Sequence, residues 1–402
     1  MNKEQRIVAV LSIIIFLVMT GITIITPVLP YYATTLGATL PLIGVLVGSF
    51  AAARVVLAIP AGIFGDRFGN RKIMAIGLLI ICISSLIAGF ALNYVVLLLA
   101  RIFEGIGSAF FATMSTAYLA RNTTMDKRGR YMGIFVGALL LGQVSGPGIG
   151  GVVADAFGPN SPFFFYALIS AIGLIILFRY IERDEVVDSE KRKKGYLLAD
   201  MKAVLRNKSF LLVNIGTLAA FFARGGVIAT LFPVLVQRNF GITDITVIGL
   251  VLTGVAIMSL VTMLPSGVIA DKYGRKIPFS TSLILGGIVV LFIPLAGDLT
   301  ILALVMLVFG LSLGLSGPMA AWAADLSEPK RMGTAMGVYR AIGDLGFLLG
   351  PVILTTVADA ANPATITYLP FVICCIWLLV SGLALLKARD PAARRTGVGP
   401  AF

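Results

Sequence analysis

Twelve stretches of predominantly apolar residues, separated by short polar turns, recur along this chain. They fall at roughly 7–32, 41–62, 73–92, 94–120, 131–157, 162–180, 210–236, 246–269, 278–296, 299–323, 334–357 and 366–386, each near the ~20 residues that carry an α-helix across hydrocarbon. A bilayer core offers no water to an unpaired backbone group, so such stretches fold as helices. With 58% hydrophobic and 13% charged residues over 402 positions, a soluble domain is excluded. The expected fold is an all-α integral membrane protein of twelve transmembrane helices.

The formal net charge of +13 would suit a nucleic-acid binder, but the basic residues track the spans instead. Four arginines lie inside spans and Arg238 lies in an odd-numbered loop; the other 27 of 32 Lys and Arg occupy the two tails and the even-numbered loops. This positive-inside bias places both termini in the cytoplasm. The basic balance therefore reports topology, and no nucleic-acid partner is expected. Only Met1 to Arg6 precede the first span, with no small-residue cleavage site, so it reads as a retained helix.

The fifth span is dense in glycine. Gly133, Gly142, Gly146, Pro147, Gly150 and Gly151 fit G-x8-G-x3-G-P-x2-G-G. In water this composition is unfavourable, at ~1 kcal/mol per glycine and ~3 or more for proline. Between membrane helices, glycines one turn apart let backbones approach closely. Gly142, Gly146 and Gly150 form one groove, and Pro147 obstructs the bond to the Gln143 carbonyl, so a bend is expected there. Gly337, Gly346, Gly350 and Pro351 repeat the spacing 204 residues later. A second landmark agrees: the loop with Gly62, Asp66, Arg67, Gly69, Arg71 and Lys72 recurs 204 to 205 residues on as Gly267, Asp271, Lys272, Gly274, Arg275 and Lys276. Six helices are duplicated. The expected organisation is an N-terminal bundle at 1–181, a cytoplasmic linker at 182–208, a C-terminal bundle at 209–387 and a cytoplasmic tail at 388–402. The mixed-charge run Glu182 to Gly195 reads as solvated linker, Leu197 to Leu205 as a short amphipathic helix, and the tail as unstructured. Pro27 and Pro30 should bend the outer end of the first helix, with Tyr31 and Tyr32 at headgroup depth.

Charges inside spans are costly and point inward to partners or water. Those set away from the span ends are Arg54, Arg101, Glu104, Arg224, Arg340 and Asp344. Arg101 and Glu104 stand at i,i+3, Arg340 and Asp344 at i,i+4, so each pair shares a helix face. The chain has no histidine, and its three cysteines sit in apolar runs. No metal, cofactor or disulfide framework is expected, and proton chemistry falls to Glu104 and Asp344. Enzyme chemistry would need a nucleophile–base or metal constellation, and none is visible.

These residues carry a resemblance. The chain resembles the major facilitator superfamily over nearly its whole length, and within it the twelve-helix drug:proton antiporters. The Gly62 to Lys72 loop is similar to G-x-L-A-D-R-x-G-R-K, with Phe64, Gly65 and Asn70 departing from it. Arg101, Gly105 and Gly107 match the fourth-helix R-x-x-x-G-x-G, with Glu104 replacing the usual glutamine. The fifth-helix glycines and Pro147 match the antiporter motif at every position. The resemblance implies two pseudo-symmetric six-helix bundles, and an Asp66 that caps the eleventh helix amid a cytoplasmic charge network including Arg67 and Arg71. It also implies proton-coupled export of small amphiphilic or hydrophobic compounds by alternating access, from a monomer in the cell membrane. The expected roles are proton carriers at Glu104 and Asp344, cavity residues at Arg54, Arg101, Arg224 and Arg340, and gating residues in the two repeated loops. Four intramembrane arginines against two carboxylates keep an alternative open, an organic-anion or metabolite transporter of the same fold.

Overall fold

The computed structural model describes residues 3–182 and 194–391. Among them no strand occurs; the chain is helix joined by short turns. Among the described residues eleven helical stretches are long and apolar enough to cross a membrane, and Leu369–Leu385 is a shorter apolar helix following them. Together they occupy the twelve expected places.

The helices are α1 (Lys3–Ile24), α2 (Leu29–Thr35), α3 (Leu40–Phe68), α4 (Asn70–Gly89), α5 (Tyr94–Arg121), α6 (Met125–Phe157), α7 (Ser161–Tyr180), α8 (Lys194–Leu205) and α9 (Lys208–Ala223). A π-helical stretch, Arg224–Leu231, leads into α10 (Phe232–Phe240). Then come α11 (Ile245–Tyr273), α12 (Lys276–Val289), a 3-10 stretch at Val290–Leu295, α13 (Leu299–Gly314), α14 (Met319–Asp325), a 3-10 turn at Pro329–Arg331, α15 (Met332–Ala361) and α16 (Leu369–Leu385). Two compact units are formed: Met1–Glu190 with Thr243–Thr253, and Lys191–Ile242 with Gly254–Phe402.

In the first unit α1 packs on α6 and α7, while α4 packs on α5 and α7. The α6 groove is the reason α1 can lie so close. A methyl group at Gly142 would stand 2.6 Å from the Phe16 carbonyl oxygen and one at Gly146 2.7 Å from that of Thr20, while one at Gly150 would collide with the Ile24 carbonyl. Polar atoms close the same seam: Thr23 Oγ1 donates to the Gly142 carbonyl at 3.2 Å, and the Thr20 and Ser145 hydroxyls meet at 3.2 Å. Across Pro147 α6 remains one continuous helix of 33 residues.

The second unit repeats the device, with α15 packed on α9 and on the π-helical stretch. Side chains at Gly346 and Gly350 would strike the Leu218 and Phe222 carbonyl oxygens, and one at Gly225 would come within 2.9 Å of the Phe347 carbonyl. Gly133 and Gly337, the first glycine of each motif copy, meet nothing within 4 Å. The repeated spacing thus contains two kinds of position.

The duplicated loops share backbone geometry as well. Gly69 and Gly274 adopt φ values of 88° and 92°, a region that side chains disfavour, and each ends its helix with a tight turn. In the first unit Lys3 and Arg6 bind the Glu182 carboxylate at 2.8 and 2.9 Å, and these contacts, Lys3 foremost, hold its carboxyl below the usual range.

Two local expectations change. Proline does interrupt the first span, as a turn at residues 25–28 between α1 and α2. However, Tyr32 is buried, its ring 5.5 Å from Phe163 and its hydroxyl donating to the Ala88 and Ala91 carbonyls at 3.1 and 3.3 Å. It closes the open end of α4 and is no surface anchor. The start of the tail is ordered: Ala388 is buried, Trp322 Nε1 donates to the Arg389 carbonyl at 3.1 Å, and Asp390 accepts from the Lys276 backbone at 2.7 Å. The mixed-charge run at 183–193 and the tail beyond 391 lie outside the described residues.

The two glycine classes separate in a stability measurement. Gly150→Ala should destabilise the purified protein by about 1–3 kcal/mol through overpacking. Gly133→Ala should be neutral or stabilising by up to ~1 kcal/mol from helix propensity. Denaturant unfolding in detergent checks both.

Candidate transport site

The first unit gathers a polar cluster inside the bundle. Gly105 of α5 lies against the Phe50 carbonyl of α3, and Gly107 against the Gly77 carbonyl of α4, so these glycines draw three helices together. Between them Arg101 is 5% exposed and Glu104 0%. Arg101 Nη1 donates to Glu104 Oε2, and Ser85 of α4 donates to Oε1 at 2.9 Å. The Arg101 guanidinium lies 4.8 Å from the Phe50 ring centroid; that of Arg54 lies 5.8 Å from the same ring, and its Nη1 reaches Ser108 Oγ at 3.5 Å. Arg54, Arg101 and Glu104 are thus brought together as expected. Glu104 is sealed between helices and does not line an open surface.

Tyr166 of α7 completes this group. It is fully buried, its hydroxyl has no hydrogen-bond partner, and it lies within the electrostatic reach of Glu104, Arg101 and Arg54. Sequence reading missed Tyr166 and Ser85, because neither stands out among the many Tyr and Ser of apolar runs. A buried ion pair of this kind is strongly destabilising to break and of small net value as a pair, so its presence calls for a use other than stability.

In the second unit Arg224 begins the π-helical stretch, and its Nη2 donates to the Leu313 carbonyl at 3.0 Å and to Ser316 Oγ at 3.3 Å. Asp344 is 8% exposed on α15, and Arg340 one turn earlier is exposed. Tyr339, also missed, stands within the field of both Arg224 and Arg340 and beside Thr217.

The repeated loops differ in their charge contacts. Arg67 and Lys72 both lie over the Phe68 ring, at 5.3 and 5.5 Å, and Arg71 Nη2 donates to the Phe178 carbonyl at 2.9 Å. The Asp66 side chain lies outside the described residues. Asn70 is 1% exposed, a place a basic side chain seldom occupies, which accounts for the departure from the motif. In the second loop Arg275 pairs with Asp325 at 3.1 Å, Lys272 lies 5.3 Å over Tyr273, and Asp271 is exposed. Gly62 and Gly267 have open space around them.

One carboxylate was overlooked by sequence reading. Asp155, near the end of α6, accepts from the backbone N–H groups of Ile245 and Thr246 at 3.1 and 2.6 Å and from Thr246 Oγ1 at 2.6 Å. It caps the start of α11, satisfying donors that open a helix. Gly148 N–H donates to Thr253 Oγ1 at 2.8 Å, and Gly151 lies against the Ile245 carbonyl. The later glycines of the motif thus meet α11, while Gly142, Gly146 and Gly150 meet α1.

Removing one partner of the sealed pair should be costly. Arg101→Ala is expected to lower stability by about 3–5 kcal/mol, whereas Arg101→Met combined with Glu104→Leu should cost far less. Unfolding of the single and double variants in detergent measures the difference.

Comparison with known proteins agrees with this architecture. The Major Facilitator Superfamily family model matches residues 11–243 and again residues 213–401. An uncharacterized MFS-type transporter of Methanocaldococcus jannaschii is 30% identical over 368 residues, covering 89% of this chain and 93% of that protein. Multidrug resistance protein 2 of Bacillus subtilis is 29% identical over 361 residues, covering 87% and 88%. Among solved structures, a bacterial homologue of the human lysosomal transporter Spinster superposes with a TM-score of 0.80 at 15% identity, over 98% of this chain and 97% of that one. With the match spanning both halves of a twelve-helix, internally duplicated chain, this protein belongs to the Major Facilitator Superfamily.

Proposed function

We propose that this protein exports small amphiphilic or hydrophobic compounds across the cell membrane by alternating access, driven by proton entry. The observation that carries the proposal is the sealed Arg101–Glu104 pair: a titratable group with no exposure, inside a membrane, held by a cation on its own helix. Protonating Glu104 would release Arg101 toward Phe50 and Arg54, and the sealed position ties that event to helix movement. Asp344, buried on α15, serves as the second proton carrier. The names of the relatives support the cargo class, since Multidrug resistance protein 2 aligns over most of both chains and the Quinolone resistance protein NorA of Staphylococcus aureus is 25% identical over 369 residues.

In this reading residues 1–181 and 209–387 act as the two moving bundles, 182–208 links them, and 388–402 forms a tail beside the cytoplasmic face, where both termini lie. A monomer suffices. The loop residues Gly62, Asp66, Arg67, Gly69 and Arg71, with Asp271, Lys272, Gly274 and Arg275 in the second half, govern gating. Arg54, Arg101, Arg224 and Arg340 set the charge met by cargo.

Inverted vesicles carrying the protein should show proton movement when an exported compound is added. Glu104→Gln and Asp344→Asn should each abolish that movement while the protein stays folded; retained coupling in both variants would overturn the assignment. A compound susceptibility screen in a host stripped of its own exporters identifies the cargo, with Asp66→Ala expected to behave as the inactive control.

A further inference from the structure

Arg224, partly buried, differs from the buried cation Arg101 in one respect: among the described residues nothing of opposite charge answers it. Among the described residues no carboxylate pairs with it, and the group acting on it electrostatically is the Tyr339 phenol. Its Nη2 is satisfied by the Leu313 carbonyl and Ser316 Oγ, while Nε is buried and has no hydrogen-bond partner. Its depth is unfavourable for a bare charge. The helical stretch runs Lys208–Phe240, so Arg224 stands sixteen residues from either end, at the level where an ionised side chain is most costly.

The surrounding backbone departs from regular helix on both sides of this guanidinium. The π-helical stretch begins at Arg224, and within it the Thr230 hydroxyl donates to the Gly225 carbonyl at 2.8 Å. Opposite, α13 stops at Gly314 and α14 begins only at Met319, leaving a turn that contains Ser316 and presents the Leu313 carbonyl. Widened turns mark functional positions in helices, and interrupted helices near mid-membrane mark substrate sites in transporters. Tyr339, hydrogen-bonded to the fully buried Thr217, stands within the electrostatic reach of the same guanidinium.

We infer that Arg224, with Ser316 and Tyr339 about it in the second unit, is a binding site for the anionic group of an amphiphilic carboxylate or sulfonate. The unanswered Nε–H and the fixed positive charge supply a directional, charge-assisted contact for such a group. A phospholipid headgroup is the wrong ligand, because it lies at the membrane surface and Arg224 lies midway. The inference rests on the transport reading only in taking the site to face cargo, and it narrows that cargo to anions or to compounds carrying an acidic group. Arg101 does not compete for the role, since Glu104 already neutralises it.

Equilibrium binding to the purified full chain in neutral-lipid nanodiscs, with no proton gradient, tests this apart from transport. The probes are radiolabelled naphthoate, its uncharged analogue naphthalene methanol, and tetraphenylphosphonium. Wild type should bind naphthoate more tightly than the alcohol, and Arg224→Gln should weaken naphthoate roughly ten-fold or more while leaving the alcohol unchanged. Arg224→Lys, which keeps the charge and loses the planar fork, should fall between them. Naphthoate should also raise the melting temperature of wild type, which needs no variant. The inference is overturned if wild type prefers tetraphenylphosphonium and ignores naphthoate, if Arg224→Gln weakens acid and alcohol alike, or if it weakens neither. A failure of proton coupling in vesicles with naphthoate binding intact would count against the export mechanism and leave this site standing.

Discussion

Lipid tails are as apolar as leucine, so membrane helices gain little by hiding apolar surface from one another, and their association depends on how closely they can pack. In this protein the closest approach is made by glycine. Gly142, Gly146 and Gly150 admit the backbone of α1, and Gly346 and Gly350 admit that of α9. At such separations hydroxyls reach main-chain carbonyls on the neighbouring helix, as Thr23 does at Gly142. The second seam leads directly into the candidate site. Gly225 and Gly226 press on Phe347 and Gly350 immediately after Arg224, so the packing that holds α15 also fixes the first turn of the π-helical stretch, and with it the aim of the guanidinium.

Much of the scaffold was legible in the residues. Span positions follow from apolar length alone, and many helix ends, such as Met125 at the start of α6, lie outside the apolar stretch because helices continue through polar flanks. The duplication was legible because its landmarks need particular residues: a positive φ at Gly69 and Gly274 and a missing Cβ at Gly146 and Gly350. The partners of those residues were not legible. Nothing in the spacing of Met132 to Gly151 says that α1 fills the groove, since helix pairing depends on shapes contributed by two distant segments. For the same reason Ser85 and Tyr166 went unnoticed beside Glu104, and Asp155 was absorbed into the end of an apolar run. The interruption of α13 had a visible signal in Gly314, Gly317 and Pro318, but the carbonyl it offers to Arg224 needed coordinates.

The comparison between halves separates what backbone geometry requires from what chemistry requires. The turn glycines Gly69 and Gly274 match, and Gly142 and Gly146 recur in the second seam as Gly346 and Gly350, whereas Gly150 has Leu354 as its counterpart. Charges do not follow the duplication: Arg101 is answered by Glu104 within one turn, whereas Arg224 is held by a carbonyl and a hydroxyl. A carbonyl and a hydroxyl bring partial charges that orient a guanidinium without neutralising it. An internal carboxylate would neutralise it permanently and remove its value for an incoming anion.

The two arrangements therefore suit different tasks on one scaffold. A neutralised, sealed pair changes state chiefly when a proton arrives, because protonation of Glu104 leaves Arg101 as a new uncompensated charge. An oriented but uncompensated arginine changes state when a charged ligand arrives, because the ligand supplies what the protein withholds. In the proposed reading, where both events carry a penalty until the other occurs, proton entry at Glu104 and anion binding at Arg224 are coupled through charge balance. On that basis no single side chain needs to contact both proton and cargo. In the proposed reading Glu104 and Asp344 titrate, Arg224 recognises the cargo, and the close glycine contacts hold the helices that carry them.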